Sequence, residues 1–249
     1  MLRSAAEMIG YRILATDGGI GDLKDIYFDD KFWTIRYLVI DTGKWLPGKH
    51  VLISPLAARE PGLGEQALPV SLTREQVKSA PPADSEKPVS RQYEASLRQY
   101  YGWPFYWVTP PPGQMPAGAP IGGIPPVEAP DKRSVEPEGD PHLRSVREVV
   151  GYQIAAADGD AGHVEDFIAD TKTWTIRYLV VDTRNWLPGR KVLVALPWVD
   201  AVKWTDRSVQ VGLTKEQIKE SPECDPGQPV SRDYEQRLYD YYGRAAYWR

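Results

Sequence analysis

Between Trp33 and Asp41 the chain alternates with a period of two. Trp33, Ile35, Tyr37 and Val39 fall on one side, and Thr34, Arg36, Leu38 and Ile40 on the other. Both sides are mostly apolar, which predicts a strand at the centre of a closed or covered sheet. Shorter strand patterns run from Gly10 to Thr16, Ile20 to Asp29, Lys49 to Ser54 and, more weakly, Ala67 to Leu72. Turn chemistry separates them at Asp17-Gly18, Asp29–Lys31 and Trp45-Leu46-Pro47-Gly48, where Asp, Gly and Pro accept turn geometry cheaply. Helices follow. Thr73-Arg74-Glu75-Gln76 has the form of a capping box. Ser90 is placed to cap a helix over Arg91–Tyr101, ended by Gly102 and carrying Tyr93, Leu97, Tyr100 and Tyr101 on one stripe.

The same pattern occurs twice. Residues 2–107 align without a gap on residues 143–248, and 49 of the 106 aligned pairs are identical by direct count. The second copy repeats the capping box at Thr214–Gln217, the helix cap at Ser231, the stripe Tyr234, Leu238, Tyr241 and Tyr242, and the glycine stop at Gly243. Units of this length are domains rather than solenoid repeats. Residues 1–108 and 142–249 are therefore predicted as two domains. Residues 109–141 are predicted as a linker, because Val108–Pro141 holds ten prolines and five glycines. Sequential strands joined by short turns predict a mainly β fold with C-terminal helices in each copy (α+β), built as two small antiparallel barrels in tandem.

Charge and cysteine usage narrow the classes. The net charge is -4, from 30 basic and 34 acidic residues, and each copy is close to neutral. No basic excess favours nucleic acid. The single cysteine, Cys224, forms no internal disulfide, so the fold needs no oxidising compartment. No apolar run has the roughly 18–20 residues of a membrane helix, and the N-terminal MLRSAAEMIGYR lacks a signal-peptide core. A cytoplasmic location is the expectation.

The pattern GY-I-A-DG--G---D followed by W-IRYLV-DT--WLPG--VL resembles the PRC-barrel domain, most strongly over Gly10–Ile53 and Gly151–Val194. That domain is shared by the cytoplasmic part of the photosynthetic reaction centre H subunit and the C-terminal part of a ribosome maturation factor. It also occurs in many stand-alone bacterial proteins. The resemblance implies a small β-barrel that binds proteins and is not an enzyme. The chain departs from the H subunit in having no transmembrane helix, and from the maturation factor in having no separate N-terminal domain.

The candidate chemistry is sparse. Gly43–Lys49 spells GKWLPGK but continues with His50 where a phosphate-binding loop needs Ser or Thr, and no helix follows. Gly18, Gly19 and Gly21 read as a hairpin turn. His50, His142 and His163 lack ligand spacing, so no metal and no cofactor is expected. Cys224 lies among acidic residues, which raise a thiol pKa. Polar residues held in both copies are Asp25/Asp166, Arg36/Arg177, Asp41/Asp182 and Thr42/Thr183. An acid beside a base could move a proton, but a structural role is the stronger reading. In that role Asp41 and Thr42 satisfy a turn, and Arg36 pairs with Asp25 on the preceding strand. Trp45 and Trp186 lie in turns, where tryptophan either folds back or anchors a partner. The first copy also carries Trp103, Phe105, Tyr106 and Trp107, where the second has Arg244, Ala246, Tyr247 and Trp248.

These readings predict a non-enzymatic interaction or scaffold module with a protein partner, its two copies docked as an intramolecular pseudo-dimer. One alternative, by analogy with the H subunit, is a peripheral accessory or assembly factor of the photosynthetic reaction centre or light-harvesting apparatus. In that case contact with a membrane surface is peripheral. A second alternative is a small-ligand binder.

Overall fold

A computed structural model describes residues 1–62, 64–81, 89–106, 142–183, 190–225 and 228–248. The N-terminal half holds β1 (Leu2–Ser4), α1 (Ala5–Met8), β2 (Arg12–Ala15), β3 (Gly18–Asp29), β4 (Thr34–Asp41), β5 (His50–Ile53), β6 (Ala67–Pro69), α2 (Arg74–Lys78) and α3 (Arg91–Tyr101). The C-terminal half holds β7 (Leu143–Ser145), α4 (Val146–Val149), β8 (Gln153–Ala156), β9 (Gly159–Asp170), β10 (Thr175–Asp182), β11 (Lys191–Ala195), β12 (Val199–Lys203), β13 (Ser208–Val211), α5 (Lys215–Glu220) and α6 (Arg232–Tyr242). The linker expected over 109–141 lies outside the described residues.

The local signals act where the sequence puts them. Thr73 and Thr214 close capping boxes with Gln76 and Gln217. Ser90 and Ser231 cap α3 and α6, and Gly102 (φ 68°) and Gly243 (φ 59°) end them in the left-handed region. These devices need only the i to i+3 geometry of one turn.

The sheet differs from the expected pair of closed barrels. Among the described residues all 13 strands join one sheet. Its hydrogen-bonded path runs β12-β13-β8-β9-β10-β4-β3-β2-β6, so it ends at β12 and β6 and does not close. Nor is it purely antiparallel, since β2 pairs with β6 and β8 with β13 in parallel. The two halves meet at Thr34 and Thr175, where the Ile35 amide donates to the Trp174 carbonyl at 2.7 Å and the Ile176 amide to the Trp33 carbonyl at 2.8 Å.

A second connection is an exchange of strands. β1 pairs with β9 of the other half, and β7 pairs with β3. The long strand β3 uses one edge for β4. Its other edge is shared by β2 near Gly18–Asp22 and β7 at Tyr27–Asp29. Each exchanged strand covers backbone that would otherwise form an open edge.

Bulges correct the predicted alternation. Tyr27 is opposite Tyr37 but Phe28 is opposite Ile35, which leaves Arg36 as the extra residue. Arg177 takes the same place in β10. The extra residue resets the side-chain phase, so Ile35 joins Leu38 and Ile40 in the main core while Tyr37 and Val39 face α3 with Leu52 and Leu97. Trp33 and Trp174, expected on the apolar stripe of the strand, are instead turn residues with φ 53° and 52°. Trp174 is buried, and half-buried Trp33 stacks on Phe28 at 5.2 Å. Phe28 meets Phe167 of the other half at 5.6 Å, inside one core cluster that draws on both halves.

Candidate interaction site

The repeated polar residues hold the exchanged segments. Ser4 caps α1 by accepting the Glu7 amide at 2.9 Å, and its hydroxyl donates to Asp166 Oδ2 on β9. Asp166 Oδ1 also accepts the Ala6 amide at 2.9 Å. The other half repeats the arrangement. Ser145 accepts the Glu148 amide at 3.1 Å and donates to Asp25 Oδ2 at 2.5 Å, while Asp25 Oδ1 accepts the amides of Ile26 at 2.8 Å and Arg147 at 3.3 Å. Both carboxylates are buried. Burial pushes their pKa values up, against the opposing pull of the serine and backbone hydrogen bonds.

Arg36 therefore does not pair with Asp25. The register sets Asp25 opposite Val39 and Asp29 opposite Thr34, so the carboxylate within reach of Arg36 is Asp29, at 3.5 Å. Arg177 likewise approaches Asp170, at 3.8 Å. Asp41 accepts the Gly43 amide at 2.9 Å, as a strand-closing aspartate should. Thr42 donates to the carbonyls of Leu46 and Lys49 at 2.7 and 2.8 Å, and Thr183 donates to that of Arg190 at 2.9 Å. Asp182 is buried.

Sequence reasoning missed a polar network under the helices. Glu94 and Glu235, equivalent in the two halves, are buried on α3 and α6. Glu235 Oε1 accepts the hydroxyls of Tyr178 at 2.6 Å and Tyr247 at 2.8 Å, and Oε2 faces Arg232 Nη1 at 2.9 Å. Glu94 accepts from Tyr106 at 2.8 Å, and Arg98 Nε donates to Tyr37 at 2.9 Å. Burial and the neighbouring carboxylates push Tyr37 and Tyr178 well above the usual phenol value. The available signal was the identity of Tyr93-Glu94 with Tyr234-Glu235, of which the apolar-stripe reading takes up the tyrosines and leaves the glutamates out.

The aromatic candidates are half-buried where described. Trp45 packs against the core, with the Arg74 guanidinium 5.0 Å from its ring. Trp103 stacks on Tyr101 at 4.3 Å. Phe105 is half-buried. Tyr106 lies beneath Arg36 at 4.1 Å and Arg98 at 4.5 Å. Trp107 and Trp186 fall outside the described residues.

An open cleft of about 280 Å³ lies where the halves meet. Its walls are the Phe32–Trp33 turn, Thr175–Arg177 at the start of β10, Leu196 and Pro197, and Tyr239 and Tyr247. Among the described residues no group of three or more His, Cys, Asp and Glu could hold a metal ion. No helix among them is long and apolar enough to cross a membrane.

Cys224 is buried, and its amide donates to the Lys191 carbonyl at 2.8 Å. Burial first, then Asp225 and Asp166, pushes its thiol up to about 12. Relative to an unfolded thiol near 8.5, its thiolate fraction at pH 8 falls on the order of a thousandfold. A disulfide reagent at pH 8 is expected to modify Cys224 rapidly in the urea-unfolded chain and at least a hundredfold more slowly in the folded one. Equal rates would place the thiol at the surface.

A family profile for the PRC-barrel domain matches residues 141–218. The match runs from β7 through most of α5, and its first strand is the one that pairs with β3. No curated protein matches the chain.

Proposed function

We propose that this chain, with its PRC-barrel domain at residues 141–218, is a non-enzymatic protein-interaction scaffold of two interlocked repeats. The observation that carries the reading is the reciprocal exchange: β1 on β9 with Ser4 bound to Asp166, and β7 on β3 with Ser145 bound to Asp25. Self-complementary contacts of this kind are what a two-fold interface between copies of one domain produces. A duplicated domain that once paired with itself would keep them within one chain. On this reading the polar residues common to both halves hold the fold together and are not spent on chemistry. The combined surface, rather than either half alone, is then what a partner protein meets.

The interlocking is tested by cutting the intact chain at a protease site inserted within 109–141. The two fragments are expected to co-elute in non-denaturing buffer and to separate only when unfolded, because each holds a strand of the other's sheet. Two fragments that separate without denaturant would sink the pseudo-dimer. The interaction role is tested with the immobilised intact chain in native cell extract. A protein partner should be retained in stoichiometric amount and displaced by free chain. Retention of nothing beyond the unfolded control would count against the role.

A further inference from the structure

We propose that the cleft between the halves receives an aromatic side chain of a partner protein with a carboxylate on the next residue. The proposal rests on the interaction role above and names the partner chemistry for it. Three observations meet at this cleft. The first is size: about 280 Å³ accommodates one aromatic ring and lies below the volume of a nucleotide or haem site. The second is composition. Phe32, Ile176, Leu196 and Tyr239 give an apolar wall, and Phe32 (41% exposed) and Tyr247 (36% exposed) stand at the surface among the few large hydrophobic groups of the described residues that do. Aromatic anchors in such pockets carry much of the energy of protein interfaces.

The third is charge. The Arg177 guanidinium lies 4.4 Å from the centre of the Tyr247 ring, and Arg232 lies 5.7 Å from it. Among the described residues Arg177 meets one carboxylate, Asp170 at 3.8 Å, and donates to the Thr173 hydroxyl at 3.4 Å, and its side chain is 25% exposed. Its equivalent Arg36 lies closer to Asp29, at 3.5 Å, and is 13% exposed. The cation at this cleft is therefore the more accessible of the pair. A planar guanidinium beside an aromatic wall complements a carboxylate held next to a ring. Tyr239 also stands where the other half has Arg98, so this wall is aromatic where its counterpart is cationic. The cleft takes Phe32 and Trp33 from one half and the rest from the other, so it is complete only when the halves are joined.

The test uses the intact chain and an acetylated, amidated hexapeptide, Gly-Ala-Phe-Asp-Ala-Gly, followed by NMR of the Ile176 and Leu196 methyl groups. The expected result is a saturable shift of both groups. Affinity should fall about five- to tenfold when the peptide Asp becomes Asn, and saturation should be lost when its Phe becomes Ala. In R177Q the Asp and Asn peptides should bind equally, as a double-mutant cycle requires of a direct pair. No saturable shift up to roughly 5 mM peptide, the weak end of specific recognition, would overturn the proposal. So would equal binding of the Phe and Ala peptides. The peptide arms need no variant, so a folding defect in R177Q leaves the test intact. If R177Q and wild type retain the same partner equally from extract, the cleft assignment fails and the interaction role stands. If the hexapeptide binds but extract yields no partner, the site stands and the role fails.

Discussion

Gly21→Ala is expected to cost on the order of 4 kcal/mol or more, enough to unfold a marginal domain. A Cβ at Gly21 would sit 2.0 Å from the carbonyl oxygen of Asp41 and 2.9 Å from Thr42 Cα. Both atoms are backbone, and the Asp22–Asp41 pairing holds them in place. The backbone at Gly21 also has φ +141°, where a side chain is strained by itself by about 1–3 kcal/mol. Gly162→Ala is expected to behave alike, since its Cβ would meet the Asp182 carbonyl oxygen at 2.1 Å. Gly10→Ala is the control: φ is +99°, but nothing lies within 4 Å of the added carbon, so only the strain cost remains. Denaturant midpoints measured side by side should separate the first two sharply from the third. If all three shift alike, close approach of β3 and β4 is not what requires glycine here.

Asp25→Ala together with Asp166→Ala is expected to be the most damaging polar change. Each removes the acceptor for a serine hydroxyl and a helix-start amide from the other half. A buried donor left without an acceptor costs about 1–3 kcal/mol, and each site leaves two from the other half besides the amide of the next residue in its own strand. The double variant should also loosen the exchanged strands, seen as faster hydrogen exchange at Arg3 and Arg144 than at the core strands β4 and β10. A global loss with no local change at β1 and β7 would argue against a latch.

The same two residues set a pH dependence with an unusual sign. Their folded pKa values are raised by burial, so the folded state binds a proton more readily than the unfolded chain. Stability from these groups therefore falls as pH rises from the ordinary aspartate value through the raised one, and is level above it. The stability of wild type relative to the D25N/D166N variant should increase as pH drops from 7 through that window. Asp170, whose pKa is lowered, contributes in the opposite direction and is present in both proteins. A difference that shrinks on acidification would mean that hydrogen bonding outweighs burial at these carboxylates.

What the sequence determined by itself was local. Capping boxes at Thr73 and Thr214, serine caps at Ser90 and Ser231, and glycine stops at Gly102 and Gly243 are legible because each depends on residues within one turn. The strand patterns of β2 to β5 are legible because burial on a pleated strand repeats along the chain. The internal similarity was legible too, and it singled out Asp25 and Asp166 as polar residues held in both copies. Tertiary structure decided the rest. β1 and β7 are three residues long, too short for a periodic signal, and become strands only because an edge of the other half is free to receive them. Arg36 and Arg177 look like ordinary members of an alternating run until a bulge makes each the extra residue and hands it to Asp29 or Asp170. Gly21 reads as a turn residue, and only the approach of the Asp41 carbonyl shows why no side chain fits. Whether the sheet closes, which half supplies each edge, and where Arg177 meets an aromatic cleft all depend on contacts between residues far apart in the chain. Periodicity records which side of a residue is buried, and carries no record of what buries it.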